Sequence, residues 1–191
     1  VDISKQNPLK VFVFGGGGPV RSWNGGYTFP EDSIYPVTNL IPIALADFDD
    51  DVLFGIDEDH RLAKNGGLVD TSLIGFDQYS KFLYDINQFH VYRVNWTYGG
   101  YSLNVSNNKG DAFTWTKTYQ SENPIYVSID PSQSGVVYLA DGRRIYKSIN
   151  NGYTFSEYNS LPSKLIGIYK KPNSEFLYAA SKYKIFEVRP D

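Results

Sequence analysis

Apolar and polar positions alternate along this chain in short bursts, and the bursts are separated by Gly, Asn, Asp and Pro. The clearest burst is Ile145-Tyr146-Lys147-Ser148, which a polar, glycine-bearing loop separates from Thr154-Phe155. Period-two alternation broken by such a loop predicts a strand, a tight turn and another strand. Val11-Phe12-Val13, Phe89 to Trp96, Tyr101 to Ser106 and Val137-Tyr138-Leu139 are further strands of this kind. Leu40 to Ala46 is mostly apolar, as a strand buried on both faces should be. No stretch of helical length keeps a 3.6-residue period, so the chain is predicted to be all-β.

The loop after Ile145-Tyr146-Lys147 has a grammar that recurs. Ser148-Ile149-Asn150-Asn151-Gly152-Tyr153-Thr154-Phe155 reads Ser-x-Asn-x-Gly-x-Thr-Phe, and Ser22, Asn24, Gly26, Thr28 and Phe29 match it at every fixed position. Ser106, Asn108, Gly110 and Phe113 keep four of the five, whereas Asn65 and Gly67 alone survive in the remaining copy. The glycines stand 41, 43 and 42 residues apart. A second landmark, the aromatic of a short strand at Phe12, Phe54, Tyr138 and Tyr178, recurs at separations of 42, 84 and 40. Strands and turns repeating at this period predict a β-propeller, with one four-stranded blade per repeat. The repeats divide the single domain 1–191 into blades near 1–34, 35–79, 80–120, 121–160 and 161–191. The chain starts within an inner strand and ends one strand short of its fifth blade, about 4.75 blades in all. The expectation is a part of a larger propeller, or a five-bladed ring closed irregularly.

In the repeated loop the Ser hydroxyl and Asn carboxamide can hold backbone groups of a tight turn, and Gly supplies a positive φ. The motif resembles the Asp-box, Ser-x-Asp-x-Gly-x-Thr-Trp, of sialidase-like, BNR and Vps10/sortilin-type propellers. Asn24, Asn65, Asn108 and Asn150 replace its Asp, keeping the acceptor oxygen and losing the charge. Phe replaces its Trp. The resemblance implies that the box lies on the outer edge of blades, away from any active site. It also implies two kinds of function: non-enzymatic ligand binding, as in the Vps10 branch, or glycoside hydrolysis, as in sialidases.

Composition narrows the chemistry. Cys and Met are both absent, which removes disulfides, thiolate metal sites and Cys nucleophiles. A net charge of -3 argues against nucleic acid or anionic membrane as the main partner. No run of 18 apolar residues is present to span a membrane as a helix. Charge is uneven: residues 31–60 hold nine acidic residues and no Lys or Arg. Within them Asp47, Asp49 and Asp51 could hold Ca²⁺, but the spacing and closing Glu of an EF-hand loop are missing. The plainer reading is a solvated acidic turn.

Other constellations are weaker. Gly15 to Gly18 lacks the helix and Lys-Ser/Thr that a phosphate loop needs, so it reads as a hairpin loop. His60 and His90 fall in different blades without clustered ligands. Six arginines are present, yet Arg21, Arg61 and Arg144 fall on third strands near the box, away from the axis where a sialidase gathers its three. Asn95-Trp96-Thr97 and Asn104-Val105-Ser106 are acceptor sequons for N-linked glycan. Phe89, Tyr92, Trp96, Tyr98, Tyr101 and Trp115 crowd one repeat, as sugar-stacking platforms or as rings packed between blades. The expected function is a non-enzymatic, extracellular or surface propeller that binds a protein, peptide or glycan without a cofactor. The alternatives are a propeller glycosidase and an assembly or virion component.

Overall fold

The structure is a computed structural model that describes residues 2–3, 7–13, 20–30, 41–45, 53–56, 61–64, 67–74, 81–85, 88–97 and 99–189. Its described elements are all strands, in five antiparallel sheets of consecutive strands. The first sheet contains β1 (Asp2–Ile3), β2 (Val11–Val13) and β3 (Val20–Ser22). The second contains β4 (Ile41–Leu45), β5 (Leu53–Ile56), β6 (Arg61–Lys64) and β7 (Gly67–Ile74). The third contains β8 (Lys81–Asp85), β9 (His90–Thr97), β10 (Gly100–Ser106) and β11 (Trp115–Ser121). The fourth contains β12 (Ile125–Ile129), β13 (Val137–Asp141), β14 (Arg144–Ser148) and β15 (Ser156–Ser160). The last contains β16 (Leu165–Lys170), β17 (Leu177–Ser181) and β18 (Ile185–Val188).

Each sheet is an up-and-down meander, and its first strand contacts the first strand of the next sheet: β1 with β4, β4 with β8, β8 with β12, β12 with β16. Blades arranged this way around inner strands are the β-propeller architecture. The burial gradient follows from it. In β13 all but the last residue is buried, because a second strand has a neighbouring blade on both faces, whereas the outermost β15 has no buried residue.

The core therefore lies between blades. Tyr92, Val94, Leu103 and Val105 of the third sheet meet Ile125, Val127, Val137 and Leu139 of the fourth. Val136, Tyr138, Ala140 and Ile145 of the fourth meet Leu165, Leu177, Ala179 and Val188 of the last. Fully enclosing each large aliphatic side chain contributes roughly 1.5–3 kcal/mol, so these seams bind one blade to the next.

The outer strands join through matching irregularities. The β10–β11 register shifts between Leu103 and Asn104, and the β14–β15 register between Ile145 and Tyr146. Both shifts begin two residues before the box serine, Ser106 or Ser148. Such bulges increase local twist, and here they occur where the outer strand leaves the box turn.

Candidate functional site

Among the described residues, polar side chains gather in the box turns at the blade edges, inside the third sheet and at the ends of the inner strands, beside an open cleft. In the first box Ser22 Oγ accepts the N–H groups of Gly26 at 2.9 Å and Asn24 at 3.3 Å. Asn24 Oδ1 accepts the Ser22 hydroxyl at 2.9 Å and the Thr28 N–H at 3.0 Å, while its Nδ2 donates to Thr28 Oγ1 at 2.8 Å. The Ser148–Asn150–Gly152–Thr154 turn repeats all five bonds between β14 and β15. These carboxamides are spent on their own turns.

The third box, between β10 and β11, differs. Ser106 Oγ still accepts from Gly110 and Asn108, at 3.0 and 3.3 Å. Its threonine partner is Thr114, with the hydroxyls 2.6 Å apart, and Asn108 Nδ2 donates to Asp111 Oδ2 at 3.1 Å. Phe113 is 94% exposed with φ +63°, so it is not the enclosed aromatic of the turn. Trp115 takes that place: its Nε1 donates to Gly110 O at 3.2 Å and its ring packs edge-on against Phe54. Two extra residues in the loop displace the Thr-aromatic pair, which corrects the assignment of Phe113. In the second sheet Lys64 pairs directly with Gly67, which is already inside β7. Gly67 thus starts a strand after a two-residue connection, and Asn65 lies outside the described residues.

The box glycines touch the preceding blade. A Cβ on Gly110 would stand 2.5 Å from the Phe54 ring of β5, and one on Gly152 would stand 3.3 Å from the Tyr92 ring of β9. Tyr92 is the blade-three aromatic that the spacing did not reveal. It pairs with Val105, just before the box serine, as Phe12 pairs with Arg21 and Tyr138 with Lys147.

The sequons are interior. Asn95 and Asn104 are both buried; Asn104 Nδ2 donates to Asn95 Oδ1 at 2.7 Å, and the Ser102 hydroxyl donates to the same oxygen at 2.9 Å. A glycan requires that Nδ2 at the surface, and the enclosed carboxamides of Asn95 and Asn104 do not meet that requirement. The dense aromatics of blade three also scatter. Tyr92 is in the core, Trp115 lies on Phe54, and Phe89 sits under the Lys109 ammonium. Asp47, Asp49 and Asp51 lie outside the described residues, among which no group of three metal-ligating side chains occurs.

Polar groups also cross the seams at the ends of the inner strands. Ser134 donates to Asp85 Oδ2 at 3.4 Å, linking the fourth sheet's first turn to β8. Lys170 Nζ lies 3.6 Å from Asp130 Oδ2, both side chains almost fully enclosed, and also bonds Ser174 O. His90 is buried beside Tyr92 and Tyr153, with Nδ1 3.1 Å from Gln88 O. Burial holds its pKa below the ordinary value, although the Gln88 carbonyl and Asp85 pull the other way. Burial likewise pushes the Tyr92 phenol up, with Asp85 and Tyr153 adding to it.

Between β8, β12 and β16 lies an open cleft of about 380 Å³. β8 contributes Lys81, Phe82, Leu83 and Tyr84. β12 and its turn contribute Val127, Ser128, Ile129 and Pro131, and β16 and its turn contribute Ile168, Tyr169, Lys170 and Pro172. Tyr169 is 56% exposed. No carboxylate or arginine lines the cleft among the described residues. Of the arginines, Arg21, Arg61 and Arg144 are on third strands, and Arg93 is enclosed in β9 opposite Phe82 and Asn104. An apolar cleft of this size with a few polar groups can seat a ligand.

No protein-family model and no curated protein matches this chain. Among solved structures it is similar to the Niastella koreensis GH74 enzyme, with TM-score 0.66 and 14% identity over 97% of this chain. It spans 35% of the length of that enzyme. It is also similar to a chain of the nidogen/laminin complex, with TM-score 0.56 and 16% identity, covering 95% of this chain and 72% of that one. At these identities the likeness is one of fold, and the fold is the β-propeller.

Proposed function

We propose that this chain is a binding propeller without catalysis of its own, and that the cleft between β8, β12 and β16 holds its ligand. The observation that carries the reading is the lining. A propeller glycosidase must bring two carboxyl groups to the scissile bond. The described walls of this cleft offer lysines, tyrosines and aliphatic side chains instead. Similarity to a chain of a protein–protein complex supports a macromolecular partner. The Ser-x-Asn-x-Gly turns, bonded alike at Asn24 and Asn150, support kinship with Asp-box propellers, among which this reading takes the non-enzymatic Vps10 type. An extracellular or surface location belongs to the same proposal, and protease accessibility on intact source cells tests it.

The second reading is a glycoside hydrolase, favoured by the likeness to the GH74 enzyme. It would place a carboxylate in the acidic stretch Asp47 to Asp51. The purified chain should be assayed on sialyl, xylosyl and glucosyl chromogenic substrates beside an Asp49→Ala variant. No turnover, together with saturable binding to a protein or glycan, is the expected result. Turnover that Asp49→Ala abolishes would overturn the proposal.

A further inference from the structure

We infer that the cleft between β8, β12 and β16 recognises a short acidic peptide segment, its carboxylate held at Lys81 and a neighbouring apolar side chain seated between β8 and β16. This rests on the binding reading above and names its ligand.

The polar inventory of the cleft decides the class. Ser128 Oγ already accepts the Lys170 N–H at 2.9 Å. The Lys170 ammonium is committed to Asp130 and to Ser174 O. Lys81 is different: it is exposed at the start of β8, and no described residue pairs with it. One uncompensated cation therefore faces the cleft, without a carboxylate among the described lining residues to oppose it. A ligand that supplies the missing negative charge is favoured, and a cationic one is repelled.

The remaining walls discriminate between kinds of anion. A saccharide carries a hydroxyl on most ring carbons, and each hydroxyl taken from water needs a partner. The described lining contains no Asn, Asp, Gln, Glu, Arg or His, the side chains with the most hydrogen-bonding capacity. Leu83, Ile129 and Ile168 instead offer aliphatic surface, which suits a leucine or phenylalanine side chain.

Backbone chemistry points the same way. β8, β12 and β16 are each the terminal strand of their sheets, so their inner edges have no strand partner among the described residues. Such edges present alternating N–H and C=O groups, which an extended peptide backbone matches. An acidic, apolar peptide thus satisfies the charge, the walls and the strand edges together.

The test uses the whole chain and two labelled hexapeptides. One alternates glutamate with leucine and phenylalanine, and the other carries glutamine in place of every glutamate. Fluorescence anisotropy should show the glutamate peptide binding about threefold more tightly, a difference typical of one exposed ion pair. Added salt should shrink that difference, because Lys81 is exposed. Lys81→Glu should abolish it and favour a lysine-bearing hexapeptide instead, and Tyr169→Ala should weaken both original peptides. Both side chains are exposed, so an unchanged urea midpoint will confirm that the variants fold. Equal affinity for the two peptides, no binding of either, or a glutamate preference that survives Lys81→Glu would overturn the inference. Saturable binding of a neutral glucose tetramer in the cleft without turnover would also overturn it, while leaving the binding reading intact. Turnover of a glycoside would overturn both.

Discussion

Lys170 and Asp130 face each other across the seam between the last two sheets, Nζ to Oδ2 at 3.6 Å, with 5% and 0% of their side chains exposed. Asp130 Oδ1 also accepts the Ser132 N–H at 2.9 Å, so the carboxylate holds its own turn and the neighbouring blade together. Removing one partner leaves an enclosed charge uncompensated, which costs about 3–5 kcal/mol. Lys170→Met should lower stability by that amount in urea denaturation. Adding Asp130→Asn should recover most of the loss, since Oδ1 remains to accept from Ser132. A double variant no more stable than Lys170→Met would show that packing, not charge, dominates the site.

The box turns predict a graded series. Asn150 Oδ1 accepts two hydrogen bonds and Nδ2 donates a third, so Asn150→Ala should cost about 1–3 kcal/mol. Asn150→Asp keeps the acceptor, and Thr154 Oγ1 can donate to the second oxygen, so it should cost about 0.5 kcal/mol or less. Asn108 bonds through Nδ2 to Asp111, a single exposed side-chain contact, so Asn108→Ala should cost less than Asn150→Ala. Urea midpoints of the three variants order these effects, and equal losses at Asn108 and Asn150 would contradict the bonding difference.

The same turns show how far the sequence could be read. Three Ser-x-Asn-x-Gly copies and a period near 42 led to a propeller, because each box must place the same backbone groups on the same atoms. One landmark was missed and one assignment failed where a loop changed length. In blade three the paired residues Tyr92 and Val105 are 13 positions apart, while Phe12–Arg21 and Tyr138–Lys147 are 9 apart. The longer hairpin moves the aromatic back four positions from the regular period, so Tyr92 was hidden. Two extra residues after Gly110 likewise put Trp115, not Phe113, on Phe54. The cleft was illegible for another reason: Lys81, Tyr169 and Ile129 belong to three separate repeats and carry no motif. Nothing local in the sequence states that inner strands 40 residues apart share one wall.

Glycine contacts give a prediction about blade docking. Gly110 and Gly152 have φ of +73° and +77°, where a side chain is strained, and each backs onto a ring of the preceding blade. A Cβ at Gly110 would come within 2.5 Å of Phe54, against 3.3 Å from Tyr92 at Gly152. Real Cβ atoms do not tolerate the shorter distance, so the enclosed Phe54 ring or the packing around it must shift, at a cost of about 1–3 kcal/mol beyond the backbone strain. Gly110→Ala should therefore destabilise more than Gly152→Ala. Gly110→Ala combined with Phe54→Leu should be less destabilised than the sum of the single changes. Strict additivity would remove Phe54 as the obstacle.

His90 sets a pH dependence whose direction follows from its burial. Its folded pKa is below the ordinary 6.5, so below that pH the unfolded chain binds the proton first. Its contribution is thus present above the unfolded value and is lost as the pH falls towards the folded one. The wild-type urea midpoint should decline between pH 7.5 and 5, and His90→Gln should show a smaller decline over the same window. Identical slopes in the two proteins would assign the acid sensitivity to the carboxylates.

The interior of the third sheet supplies the last prediction. Asn104 Nδ2 reaches both Asn95 Oδ1, at 2.7 Å, and Ser102 Oγ, at 3.2 Å, and neither Asn104 nor Asn95 is appreciably exposed. The three side chains form one enclosed polar network in which Asn95 Oδ1 accepts twice. A glycan attached to Asn104 would have to displace that network and bring a hydrated sugar between β9 and its neighbours, which the close packing of the sheet does not permit. When the chain is expressed in a host that glycosylates secreted proteins, mass spectrometry of the folded fraction should find both asparagines bare. Asn104→Leu removes one donor to each oxygen while the Ser102 hydroxyl still donates to Asn95 Oδ1, so it should cost about 0.5–1.5 kcal/mol in urea denaturation. Folded protein carrying sugar at Asn104, with an unchanged urea midpoint, would show that this amide does not hold the sheet.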